Sequence, residues 1–286
     1  MSHSLELAQK TSVIAFVVVS MLGVGLTLSI QEVREPFKSA RLVFSALAAN
    51  FVLVPISAYL ITRAIPLEQS LATALVLLGT ASGAPMLPKL VEFARGRLAL
   101  GVGLMALLMA GTIVTMPLVL PMLLPGAHVN AWSIARPFLS VVLPPLAVGL
   151  VVRAYRKALA ARLQPIVRLA SNVAVTVVIL VVVAANFSNL VRAGSLDAVV
   201  GGTVLLLMSF GIGFVLGGPD AETRIVLALG TAQRDVSIAF FVAIENFSES
   251  NVVNVLAILA MLTLVTQVPV ALALGIRIKH QGANLR

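Results

Sequence analysis

The sequence contains no cysteine, so disulfide bonds and thiolate metal sites are excluded. It has only three histidines, and they are scattered along the chain, which does not indicate a metal cluster. Charged residues are also scarce: they make up 11% of the 286 positions, against about 25% in a soluble domain. Hydrophobic residues make up 59% of the chain, and the mean hydropathy is +1.06. This composition predicts an all-α polytopic membrane protein in a lipid bilayer.

The formal net charge is +9, which in a soluble protein would suggest nucleic-acid binding. In a membrane protein, an excess of Lys and Arg is expected in the cytoplasmic loops, where it sets the orientation of the chain. We therefore expect no nucleic-acid partner.

The hydrophobic runs predict about nine membrane spans, each near the 20 apolar residues that a spanning helix needs. Their approximate bounds are 12–30, 41–62, 69–95, 98–123, 132–152, 168–190, 197–217, 222–246 and 252–276. They form one transmembrane domain, 1–286, with a first half of four helices at 12–125 and a second half of five at 130–278.

The basic residues between these spans predict the orientation. With the N-terminus outside, fourteen of the 20 basic residues fall on the cytoplasmic side. Only Lys10, Arg63, Arg136 and Arg192 fall on the other side. This asymmetry predicts an outside N-terminus and a cytoplasmic C-terminus. We expect a multi-pass protein of the cell membrane, in bacteria the inner membrane.

The tetrapeptide Leu-Gly-Thr-Ala occurs twice, at 78–81 in the third span and at 229–232 in the eighth. Polar and helix-weakening residues follow both copies, namely Ser82-Gly83-Ala84-Pro85 and Gln233-Arg234-Asp235. The two spans are five apart, so they run through the bilayer in opposite directions. Interrupted helices at matching places in two inverted repeats indicate the binding site of a secondary transporter.

Arg234 and Asp235 lie near the middle of the eighth span, where charged residues are costly and often functional. Arg234 either holds an anionic substrate bidentately or takes the place of a bound cation. Asp235 either pairs with it, orients it or carries a proton. A purely structural ion pair is the alternative.

The sequence resembles the bile acid–sodium symporter family along nearly its whole length. Residues 21–28 are similar to that family's Met-x-x-Gly-Leu-x-Leu helix, and Asn50-Phe51 followed by Pro55 is similar to its next helix. Residues 79–82 resemble its Gly-Thr-Ala-Ser motif at the first crossing helix. The resemblance implies a core domain with two crossing discontinuous helices, a panel domain and alternating access.

The chain departs from the sodium ligands that the resemblance implies at the first crossing. Ser82 matches, but Gly83 stands where the family has asparagine. Gly101 and Met105 stand where a serine and a threonine of the next helix would be.

The departures are larger at the second crossing. Gly230 replaces a glutamate, Arg234 a glutamine and Asp235 an asparagine, while Asn50 keeps an amide. A guanidinium at this position opposes a bound cation. We therefore expect degenerate sodium sites, with Arg234 as a fixed internal cation; no cofactor is expected, and bound sodium is doubted.

The sequence thus predicts a secondary transporter of a small organic anion and not an enzyme. The alternatives are a sodium-coupled symporter with a rearranged ion site and a non-transporting membrane protein that binds a ligand. The predicted substrate-binding residues are Thr80, Ser82, Gly83, Thr231, Arg234 and Asp235. The predicted ion-binding residues, or substitutes for a bound ion, are Asn50, Ser82, Gln233, Arg234 and Asp235.

Overall fold

The computed structural model describes residues 3–124, 132, 135–136, 138–192, 195–247 and 251–283. Within these ranges every regular element is a helix. The α-helices are α1 His3–Thr27, α2 Ile30–Arg34, α3 Ala40–Ala48, α4 Val54–Ala64, α5 Gln69–Thr80, α6 Leu87–Phe93, α7 Leu98–Leu123, α8 Leu143–Tyr155, α9 Lys157–Arg192, α10 Ser195–Leu216, α11 Ala221–Ala232, α12 Val236–Asn246 and α13 Val252–Ala283. The predicted boundary between the two halves, 125–130, lies outside the described residues.

Four helical segments are long and apolar enough to cross a membrane: Ala40–Ala64, Leu98–Leu123, Leu196–Leu216 and Val252–Ile276, with hydropathies of 1.9 to 2.3. Large apolar side chains on them point outward; for example, Met122 is 78% and Val215 79% exposed. Lipid tails are as apolar as these side chains, so this surface suits a bilayer. The chain is a multi-pass membrane protein.

The third and eighth predicted spans are each divided into two short helices, α5 with α6 and α11 with α12. The interruptions that the sequence predicts are therefore present. A further candidate span is bent by 85° between Thr11–Thr27 and Gln31–Lys38. Four, or with this bent pair five, helices of the described chain meet a length and hydropathy test for spanning. The count of nine stays a prediction.

Helix α1 packs against α8 and α9, and two glycines bring the α1 and α8 backbones into contact. A Cβ atom on Gly25 would lie 2.4 Å from the Leu146 carbonyl oxygen, and one on Gly149 would lie 2.5 Å from the Leu22 carbonyl oxygen. Only a residue without a side chain allows this approach. The contact fixes α1 and α8 as one unit.

The other helices surround the two interruptions. Helices α5, α7, α11, α12 and α13 contribute to one continuous hydrophobic core, in which α5 packs against α7 and α12. Between α3 and α4 the helix widens into a π-helical turn, Ala49–Leu53. Pro55 follows this turn and has no N–H to donate, which disrupts the regular α-helical ladder. The turn places Asn50 fully buried beside the interruptions.

Candidate functional site

The first interruption follows Thr80, the last residue of α5. The chain runs as a linker through residues 81–86 before α6 begins at Leu87. Gly83 in this linker has a φ of +89°, which L-residues with a side chain rarely adopt. A Cβ atom there would also lie 2.3 Å from the Met109 backbone nitrogen of α7. The Gly83 position, predicted to contact substrate, therefore has no room for a side chain in this conformation.

The second interruption is shorter. Helix α11 ends at Ala232, and α12 begins at Val236. Gln233 and Asp235 have extended backbones, with φ of −78° and −82°. Helix α11 contains no proline, so glycine and polar residues alone mark this break in the sequence.

The two linkers lie against each other. Ser82 and Arg234 pair as in an antiparallel β-bridge, and the Asp235 N–H donates to the Ala81 carbonyl at 3.0 Å. Both backbone groups of Ser82 itself bond to Thr112 of α7. Its hydroxyl oxygen accepts from the Ser82 N–H at 3.0 Å and donates to the Ser82 carbonyl at 3.0 Å. Backbone groups freed by the breaks are thus satisfied inside the protein, as an apolar surrounding requires.

Arg234 is fully buried, and its guanidinium donates five hydrogen bonds to four oxygens. Nε donates to the Thr231 carbonyl at 3.0 Å, and Nη2 donates to the same oxygen. Nη1 donates to Ser82 Oγ at 2.7 Å and to the Gly79 carbonyl at 3.2 Å. Nη2 also donates to Asn50 Oδ1 at 2.5 Å. All five N–H groups are therefore in use, and none is left for a carboxylate in this conformation.

Two of these four oxygens belong to the last turns of broken helices. Gly79 lies one residue before the end of α5, and Thr231 one residue before the end of α11. Carbonyls in a last turn have no partner within the helix, and they form the negative end of the helix dipole. A positive charge is favoured at the place where two such ends converge.

Asn50, in the π-helical turn, forms hydrogen bonds with Arg234, Ser82 and Thr231. Its Oδ1 accepts from Arg234 Nη2 and from Ser82 Oγ, the latter at 3.2 Å. Its Nδ2 donates to the Ala46 carbonyl at 3.0 Å and to Thr231 Oγ1 at 3.2 Å. The amide therefore links both interruptions to a third helix, and its predicted part as an ion ligand or a substitute for an ion stays a prediction.

The expected pairing of Arg234 with Asp235 is wrong: among the described residues no ion pair joins them, and the aspartate instead caps α12. Asp235 Oδ1 accepts from the Ser237 N–H at 3.0 Å and from the Ile238 N–H at 3.3 Å. A carboxylate is well placed at a helix N-terminus, because it bonds free N–H groups and meets the positive end of the dipole. Asp235 is fully buried, and its Oδ2 has no hydrogen-bond partner in the described part of the chain.

Two predicted residues take little part in this cluster. The Thr80 hydroxyl donates back to the Val76 and Leu77 carbonyls of its own helix, both at 3.0 Å. The Gln233 N–H donates to the Leu229 carbonyl at 2.8 Å and ends α11. Thr112, in contrast, was missed, because a lone threonine in an apolar span usually bonds to its own helix.

Leucine side chains fill the space beside Gly230, where the resembled family has a glutamate. A Cβ atom on Gly230 would lie 2.8 Å from Leu104 Cδ2 and 3.1 Å from Leu87 Cδ2. Met105 is also buried, with 1% exposed. The position is therefore surrounded by apolar groups, and a side chain here would require the Leu104 side chain to shift.

A cavity of about 330 Å³ lies at the far end of α12. Asp235 and Glu245 are ten residues apart, so this end lies roughly 15 Å along the helix from the second linker. The lining residues come from α1, α12 and the segment around 136–141, and they are Ile14, Arg136, Ser140, Val141, Phe241, Glu245 and Asn246. Three of the seven lining residues are apolar and four are polar or charged, including one guanidinium and one carboxylate.

Comparisons with known proteins agree with the resemblance. The chain is 25% identical over 203 residues to an uncharacterised sodium-dependent transporter of Bacillus subtilis, covering 71% of this chain and 62% of that protein. It is 22% identical over 233 residues to a probable chloroplastic sodium/metabolite cotransporter of Arabidopsis thaliana, covering 80% and 58%. The chain thus spans about three fifths of the length of these relatives.

Both relatives are named as transporters and not as enzymes. The sequence profile of the sodium bile acid symporter family matches residues 14–193, more than half of the chain. The chain belongs to the sodium bile acid symporter family.

Proposed function

We propose that this protein is a secondary transporter that carries a small organic anion by alternating access, with the Arg234 guanidinium in place of a bound cation. The observation that supports it most is the set of four neutral oxygens around the guanidinium. In this proposal the two broken helices cross near the bilayer midplane as corresponding parts of inverted repeats. The helices around them form a core domain that moves against a panel domain.

The oxygens around Arg234 are of the kind that hold an alkali metal ion. They comprise two carbonyls, one hydroxyl and one amide oxygen, and none carries a full charge. Because the guanidinium uses all of them, a sodium ion would have to displace it or bind beside it. At about 5 Å and an effective dielectric near 20, the repulsion is about 3 kcal/mol. Glycine at position 230 supplies no carboxylate there, and the neighbouring Asp235 carboxylate bonds to the start of α12.

The organic anion would not be held by Arg234 in this conformation, since the guanidinium has no N–H to spare. We assign its first contact to the cavity of about 330 Å³ at the end of α12. Arg136 lines that cavity and supplies a positive charge beside the Glu245 carboxylate, and Phe241 and Ile14 supply apolar surface. The anion would then reach the crossing when the panel and core domains move.

The topology in this proposal follows from the basic residues. The N-terminus lies outside and the C-terminus in the cytoplasm, and the membrane is the cell membrane, in bacteria the inner one. Arg136 and Glu245 then face the outside, so that the cavity opens away from the cytoplasm.

A sodium-coupled symporter with a rearranged ion site is the second candidate, because both relatives are named for sodium. The two candidates differ in one measurable property. An internal guanidinium makes transport independent of sodium, whereas a rearranged site requires it.

The test uses the purified full chain in proteoliposomes. A panel of radiolabelled carboxylates is screened by counterflow, with sodium chloride or choline chloride on both sides. We expect at least one carboxylate to exchange at the same rate in both salts. A saturable sodium requirement would favour the second candidate, and the absence of counterflow for every carboxylate would contradict transport of this class of substrate.

A further inference from the structure

The two charged residues at the crossing differ in how their polar atoms are satisfied. Every N–H of the Arg234 guanidinium donates to an oxygen of the protein. Asp235 uses Oδ1 to cap α12, while Oδ2 is buried without a partner among the described residues. A buried carboxylate oxygen without a hydrogen bond is costly as an anion, and a proton on that oxygen removes the charge.

Other charged side chains on the packed elements are engaged elsewhere or are distant. In α6, Lys89 pairs with Glu92 at 2.7 Å. Arg97, just before α7, pairs with Glu35 at 2.5 Å. Glu68 precedes α5 and Glu245 lies in the last turn of α12, so both are about ten or more residues along the chain from the two linkers. Arg234 is the adjacent charge, and its donors point to neutral oxygens.

We propose that Asp235 binds and releases one proton in each transport cycle, so that the organic anion travels together with a proton. This inference rests on the proposed function and names its coupling ion. The proton adds from water to Oδ2, forming an O–H bond, and leaves to water on the other side of the membrane. Oδ1 continues to accept from the Ser237 and Ile238 N–H groups, so the start of α12 is kept in both states.

The charges of Arg234 and Asp235 explain why the movement of the proton is coupled to that of the organic anion. In the empty protein, the positive charge of Arg234 and the negative charge of Asp235 cancel. Protonation of Asp235 leaves one positive charge, which attracts a monovalent carboxylate and is cancelled by it. The empty and the fully loaded states are therefore neutral, while each half-loaded state carries a net charge that is costly to move through a low-dielectric interior. One proton per monovalent anion makes the transport electroneutral.

The direct test is infrared difference spectroscopy of the full chain in lipid nanodiscs during a pH titration. We expect wild type to show the C=O stretching band of a protonated carboxylic acid on acidification, and D235N to lose it. Asparagine is as good an N-cap as aspartate, so α12 keeps its start in this variant.

The matched control is D220N. Asp220 caps α11 in the same way and accepts from the Thr223 N–H at 2.9 Å, but it is exposed. Hydrogen bonding from the Thr223 hydroxyl lowers the pKa of Asp220 from its usual 3.8, so it stays ionised over most of the titration. The Asp235 band is expected to persist in D220N. A band of full intensity in D235N overturns the proposal.

A transport measurement adds a second readout, with radiolabelled pyruvate as the probe. We expect wild-type uptake to follow an imposed pH gradient and to ignore a potassium–valinomycin potential, and we expect D235N to lose uptake driven by pH while D220N keeps it. Uptake by D235N that equals wild type at every pH overturns this inference alone. Absence of transport of pyruvate and of every other carboxylate by wild type overturns the proposed function as well.

Discussion

The same four residues, Leu-Gly-Thr-Ala, lie at the ends of α5 and α11, but the two copies make different contacts. In the first, the Thr80 hydroxyl bonds to its own helix, and the Gly79 carbonyl accepts from Arg234. In the second, the Thr231 hydroxyl accepts from Asn50, and the Thr231 carbonyl accepts twice from Arg234. A repeat in sequence therefore supplies similar helix ends but not equal partners.

The two linkers also differ, in length, in backbone conformation and in charge. The first is long, contains a glycine with positive φ, and is bonded by a threonine of α7. The second is short and carries both buried charges. The first linker thus provides one of the four oxygens, Ser82 Oγ, and the second linker provides the guanidinium that the four oxygens surround. Substitutions at Arg234, Gly83, Thr112 and the two threonines of the repeat should reveal this difference as graded losses of stability.

Removal of the Arg234 guanidinium should lower the stability of the protein most. In R234A four buried oxygens lose their donor, and each unsatisfied polar group costs about 1–3 kcal/mol. We expect a loss of about 3 kcal/mol or more in the free energy of unfolding, measured by thermal unfolding in detergent. Added guanidinium ion should restore part of it, because it can fill the same space.

The control for R234A is R63A, which removes an exposed arginine that donates to the Tyr59 hydroxyl. Its effect should be small, and guanidinium ion should not stabilise it. An R234A protein as stable as R63A would show that the oxygens do not need the cation.

Substitution of Gly83 should rank second. In G83A the new Cβ atom meets the α7 backbone at 2.3 Å, at a φ of +89°. Strain and overpacking together should cost about 2–4 kcal/mol. G211A is the matched control, since a Cβ at Gly211 in α10 meets no atom within 4 Å. It should be neutral or slightly stabilising, because alanine favours a helix more than glycine does. Equal melting temperatures of the two variants would mean that the first linker is free to move away from α7.

Loss of the Thr112 hydroxyl should have an intermediate effect. T112V removes the partner of both Ser82 backbone groups, which should cost about 1–3 kcal/mol. T115V on the same helix removes a hydroxyl that donates only to the Gly111 carbonyl of α7, so it should change stability little. Chemical denaturation in a mixed micelle can rank the two, and a larger effect of T115V would contradict the assignment.

The smallest expected difference separates the two threonines of the repeat. T231V removes the acceptor of Asn50 Nδ2 and should cost about 1 kcal/mol. T80V removes a hydroxyl that bonds only within α5 and should stay within about 0.5 kcal/mol of wild type. Identical losses in thermal unfolding would mean that the two copies are equivalent after all.

The sequence predicts both interruptions because glycine, proline and polar residues in an apolar span leave few other structures. It also selects Asn50, Ser82, Thr231 and Arg234, since polar side chains in spans tend to face protein. It does not predict which acceptor each N–H meets, because this depends on how four helices pack. The pairing of adjacent Arg234 and Asp235 was wrong since the backbone of α12 offers the carboxylate nearer donors. The role of Thr112 and the close approach of α7 to Gly83 could not be predicted from the sequence either, because both depend on the position of α7.

The central claim is that a guanidinium of the chain occupies the place of a bound metal ion. Isothermal titration calorimetry of the wild-type protein with sodium chloride, against choline chloride as reference, tests it most directly. We expect no saturable, sodium-specific heat for wild type. A saturable heat that sodium produces and choline does not would contradict it.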